Sequence, residues 1–95
     1  MEHLTRSDFA PLVGEPFQAH VDATNVVDLR LVEAAALPAR GPGREPFSLV
    51  FRGPLDCVLP QGTYRLEHAT LGRLELFLVP IGPDDEGMRF EAIFN

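Results

Sequence analysis

The residues of this 95-residue chain with chemical potential are three histidines, one cysteine, an acidic triplet and two arginines in a glycine loop. His3, His20 and His68 could serve as metal ligands or general bases, because neutral imidazole offers a lone pair near neutral pH. No two of them have the spacing that turns two imidazoles onto one metal from a helix, so a structural or solvent-facing role is expected for each. Asp84, Asp85 and Glu86 gather carboxylates before Gly87, but lack the alternating ligands and following glutamate of a calcium loop. They predict a solvated acidic turn. Arg40-Gly41-Pro42-Gly43-Arg44 has the residue types of a phosphate cradle, yet proline removes backbone donors and no helix follows to supply a dipole. Cys57 reads as a small packing residue. No motif places Ser7, Ser48, Cys57 or Tyr64 beside a histidine, as an activated nucleophile requires. The expectation is a protein that is not an enzyme and holds no metal and no cofactor.

Composition narrows the partners. Eight basic residues, all arginine, against 14 acidic ones give a net charge of −6, which argues against nucleic acid or an anionic membrane as the main partner. A single cysteine cannot form an internal disulfide, and residues 1–8 carry charges where a signal peptide needs an apolar run, so the expected location is cytoplasmic. The length suits one domain with one core: a tail and helical turn over residues 1–14, then a β unit over residues 15–95.

The elements that must position these residues are read from periodicity. Thr5 and Asp8 have capping-box spacing, and Phe9, Leu12 and Val13 would share one side of a short helical turn ended by Gly14. Residues 17–22 alternate with Phe17, Ala19 and Val21 inward. Residues 26–33 do the same with Val27, Leu29 and Leu31, while residues 34–45 read as an exposed, punctuated loop. Residues 47–52 predict a third strand with Phe47, Leu49 and Phe51 inward. The apolar connection over residues 55–62 is expected to close one end of the core.

The clearest element is a hairpin over residues 63–79. Placing Tyr64 opposite Leu76 and Leu66 opposite Leu74 sets Arg65 across from Glu75 and Glu67 across from Arg73. Sliding one arm by two residues would oppose Glu67 and Glu75, which costs free energy. Residues 80–87 read as a second loop, and residues 88–94 as a last strand with Met88, Phe90, Ala92 and Phe94 inward. The fold class expected is all-β: a small antiparallel six-stranded meander forming a barrel or half-open roll, with one short N-terminal helical turn.

One set of residues does not fit that core. Val50, Phe77, Val79 and Ile93 point outward and would form an apolar patch on neighbouring strands. The first expectation is that the N-terminal turn, through Leu4, Phe9, Leu12 and Val13, covers the patch; the second is a dimer or partner surface.

The runs Leu59-Pro60-Gln61-Gly62-x-Tyr64 and Phe77-Leu78-Val79-Pro80-Ile81-Gly82 are specific. With Phe47-Ser48-Leu49-Val50-Phe51-Arg52-Gly53-Pro54 and the closing Phe90-Glu91-Ala92-x-Phe94-Asn95, nearly the whole chain resembles the small bacterial proteins grouped as domain of unknown function 6916. The resemblance implies a free-standing small β protein with no assigned catalytic residues. It also implies an accessory or assembly role beside phage-tail-like proteins. The function expected is a non-catalytic protein-interaction module acting through Val50, Phe77, Val79 and Ile93 or through Arg40 and Arg44. The alternative is a small-ligand barrel with a mouth formed by Tyr64, His68 and residues 55–59.

Overall fold

The computed structural model describes residues 4–38, 41–42 and 45–94. A single helical turn, α1 (Arg6–Phe9), runs into a 3₁₀ turn (Ala10–Leu12), and six strands follow: β1 (Pro16–His20), β2 (Val26–Ala36), β3 (Phe47–Gly53), β4 (Gly62–His68), β5 (Gly72–Pro83) and β6 (Met88–Phe94). The Asp8 carboxylate accepts the Thr5 backbone N–H at 2.8 Å, as the capping-box spacing predicts.

All six strands pair antiparallel into a closed barrel in the order β1-β2-β3-β6-β5-β4. The all-β barrel with one short helical turn is therefore as expected. The order departs from a plain meander at one connection. β3 and β4 lie on opposite sides of the ring, and the strap of residues 54–61 crosses the barrel end between them. Its apolar groups explain the route, since Cys57 and Leu59 are buried in the crossing.

The barrel consists of two three-stranded halves with one pairing plan. β2 pairs with β1 over residues 26–30 and with β3 over residues 30–36, with a shift between Leu31 and Glu33. β5 pairs with β4 over residues 72–78 and with β6 over residues 79–83, with a shift between Pro80 and Gly82. The β1–β4 and β3–β6 pairs then join the halves. Each central strand is longer than the sequence pattern suggests. Ala34, Ala35 and Ala36 pair with Leu49, Ser48 and Phe47, and Pro80 and Pro83 pair with Phe90 and Met88. The prolines are tolerated because β4 has already ended beside them, so their missing N–H groups cost no ladder bond.

The hairpin register is the predicted one: Tyr64 opposite Leu76, Arg65 opposite Glu75, Leu66 opposite Leu74 and Glu67 opposite Arg73. Gly72, with φ of 79°, makes the turn that a side chain would strain. Inside, Phe17, Phe51, Phe90, Leu29, Leu31, Leu49, Leu66 and Leu78 are fully buried. Phe17 meets Phe51 edge-on at 5.3 Å, a favoured aromatic geometry.

Two N-terminal expectations need correction. β1 stops at His20, and Val21 is exposed, because Asp22 accepts the backbone N–H groups of Thr24 and Asn25 and starts the turn there. Val13 is also exposed. The chain has left the helical conformation at that residue, with ψ of 129°.

Candidate functional site

The outward face of a strand alternates with the buried one, so Leu78 inward puts Phe77 and Val79 outside. On β6, Ala92 inward puts Glu91 and Ile93 outside. The last β5–β6 ladder pair is Val79 opposite Glu91. On the outer face lies an open groove of ≈ 750 Å³ walled by Phe77, Val79, Glu91 and Ile93 on one side. Leu37, Pro38 and Pro46 form the other wall. Leu37 N–H donates to the Pro46 carbonyl at 2.9 Å and holds the two arms of the β2–β3 connection together at that wall. Phe77 is 51% and Ile93 55% exposed, although both are large apolar groups.

The N-terminal turn does not cover this groove. Phe9 is fully buried, with its ring 5.9 Å from Phe47 and 5.6 Å from Phe94, at the end of the barrel where β3 begins and β6 finishes. The open barrel end offers two aromatic partners and near-complete burial, which a flat outer face cannot match. The lid expectation is thus overturned: the turn caps the barrel, and Phe77 and Ile93 stay exposed.

Several ionisable groups are committed to internal contacts. His68 is almost completely buried, its Nδ1 accepts the backbone N–H groups of Thr70 and Leu71, and its Nε2 lies 2.7 Å from Glu15. Acceptance at Nδ1 places the ring proton on Nε2, which donates to the carboxylate. His20 on the outer face meets Glu67 at 3.0 Å, and that bond holds the Glu67 carboxyl below the usual carboxylate range. Asp84 accepts Nε–H of Arg52 and the backbone N–H groups of Glu86 and Gly87. Arg52 chiefly, with the turn donors, pulls Asp84 down to about 2. Burial, then the neighbouring Asp56, pushes the Cys57 thiol up, away from the reactive thiolate. Among the described residues no group of three histidine, cysteine or carboxylate side chains could hold a metal ion. No helix among them is long and apolar enough to cross a membrane.

A family model described as Domain of unknown function (DUF6916) matches residues 4–94. The chain belongs to the DUF6916 family. No curated protein and no solved structure matches it.

Within this DUF6916 domain, the groove unites three of the sequence-predicted patch residues, Phe77, Val79 and Ile93. Val50 is not among them. It faces outward but is only 8% exposed, because Glu33 and Glu91 flank it on the two neighbouring strands. Arg40 and Arg44, like His3, lie outside the described residues. The mouth expected from Tyr64, His68 and residues 55–59 does not assemble. His68 ends β4, whereas the strap precedes it, so they occupy opposite ends of the barrel. Tyr64 instead donates its hydroxyl to the Pro60 carbonyl. The groove wall of Leu37, Pro38 and Pro46 was not readable in advance. Its only signal is a β2–β3 connection longer than a hairpin needs.

Proposed function

We propose that this DUF6916 domain is a non-catalytic protein-interaction module that takes an apolar segment of a partner into the groove between the outer face of β5 and β6 and the β2–β3 connection. The observation that carries the reading is the exposure of Phe77 and Ile93 in a concave, apolar-walled site. Burial of such surface drives association at about 25 cal/mol per Å² before ordering costs are met. An accessory or assembly role beside phage-tail-like proteins is compatible with such a site. The packed interior and the closure of one barrel end by Phe9 and the other by the strap favour a surface partner over a small ligand held inside.

The test is selection from a displayed peptide library against wild type and Ile93→Asp. Peptides enriched on wild type are expected to carry apolar anchors and to shift the amide signals of Phe77, Val79, Glu91 and Ile93. They should lose binding to Ile93→Asp. Peptides that bind both proteins equally, or shift signals elsewhere, would defeat the reading.

A further inference from the structure

β5 is the longest strand, and its two sides are unequally used. On one side β4 pairs with residues 72–78. On the other, β6 pairs only with residues 79–83, so among the described residues no strand pairs with residues 72–77 on the β6 side. A strand edge of this kind is a template for another strand. Its outward side chains are Arg73, Glu75 and Phe77. Arg73 is 66% exposed.

β4 shows what this row of side chains accepts. Opposite Phe77, Glu75 and Arg73 it presents Thr63, Arg65 and Glu67, a basic group facing the acid and an acid facing the base. The order needed along an added antiparallel strand is therefore basic, then acidic two residues on. Arg73 and Glu75 of this chain have that order. Residues 73–75 are complementary to themselves when read in opposite directions.

We propose that a second copy of this chain adds to the free edge of β5 as an antiparallel strand, with Leu74 opposite the partner's Leu74. Arg73 then faces the partner's Glu75, and Glu75 faces the partner's Arg73. The contact is isologous and closes as a dimer. Its register is set by charge. Centring on residue 75 opposes Glu75 to the partner's Glu75, and centring on residue 73 opposes arginine to arginine, both unfavourable for directly facing strand positions. The proposal shares Phe77 with the groove but does not depend on a peptide binding there.

The experiment is solution mass by sedimentation over a dilution series for wild type, Arg73→Glu, Glu75→Arg and an equimolar mixture of the two variants. Wild type is expected at twice the monomer mass, dissociating on dilution. Each variant alone carries two like charges around Leu74 and should be monomeric, whereas the mixture restores both opposite-charge pairs and should form a one-to-one dimer. Amide exchange at residues 73–77 of wild type tests the edge without a substitution, with protection that falls on dilution. A wild type that stays monomeric with concentration-independent exchange, variants that dimerise alone, or a mixture that remains monomeric would overturn the proposal. All four samples retain Phe77, Val79 and Ile93, so their outcome is separable from that of the peptide selection.

Discussion

The first half of β2 and the first half of β5 occupy matching places in their three-stranded units. Residues 26–30 pair with β1 and residues 72–78 with β4. Among the described residues, β3 reaches β2 only from Arg30 onward, as β6 reaches β5 only from Val79 onward. The two openings differ in what lines them. Beside β2 stand Asp28, Arg30, Arg52 and Glu86, with Arg52 already tied to Asp84 and lying 3.6 Å from Glu86. Beside β5 stand Phe77, Val79, Ile93, Leu37, Pro38 and Pro46, with Glu91 as the one charged group among the described residues of the lining. Charges that have partners and water lose hydration if covered, whereas exposed apolar groups gain by it. One plan of strand pairing thus yields one opening lined by charges the molecule pairs itself and one that leaves large apolar groups exposed.

The comparison rests on both halves sharing one core, and Phe51 is where that is most easily broken. Phe51→Ala removes a fully buried ring that meets Phe17 and is expected to cost about 3–5 kcal/mol in urea denaturation, with both halves unfolding in one transition. Separate transitions would mean that the halves are independent. Next in size is Gly87→Ala, because a Cβ there would run into the Gly53 carbonyl oxygen and crowd Arg52 Cγ. A loss of about 1–3 kcal/mol is expected, confined to the self-satisfied opening beside β2.

His68→Leu should cost about 1–3 kcal/mol, since it removes a buried side chain that accepts the turn N–H groups of Thr70 and Leu71 and meets Glu15. His20→Ala, which removes an outer-face bond, should leave the denaturation midpoint near wild type. Equal effects at the two histidines would contradict the assignment of one to structure and one to solvent. A further effect is confined to acid. Asp84 titrates at about 2 in the folded chain against an ordinary 3.8, so its stabilisation is complete above about pH 4 and is lost as pH falls from there through 2. Asp84→Asn should flatten the melting temperature across that window.

The hairpin was legible because charge and apolar pattern agreed on one register. The charge partners were less so: Arg73 approaches Glu67 at 3.8 Å, while no ion pair joins Arg65 to Glu75 among the described residues. Strand extensions were hidden by composition. Ala34, Ala35, Ala36, Pro80 and Pro83 are poor strand formers, and only a neighbour in space draws them into the sheet. The outward direction of Phe77, Val79 and Ile93 followed from alternation. The burial of Val50 and the destination of Phe9 did not, because each depends on which strand ends up beside which.

The strap of residues 54–61 has a kinetic consequence. Within each half, strands meet neighbours in sequence, so both triplets can form by local search. The β1–β4 and β3–β6 seams join residues distant along the chain, and such contacts are slow to find. Ring closure is therefore expected to set the folding rate. Weakening a seam with Ala19→Gly, opposite Leu66, is expected to slow refolding more than Thr24→Gly in the β1–β2 turn, a difference that stopped-flow measurements would show or refute.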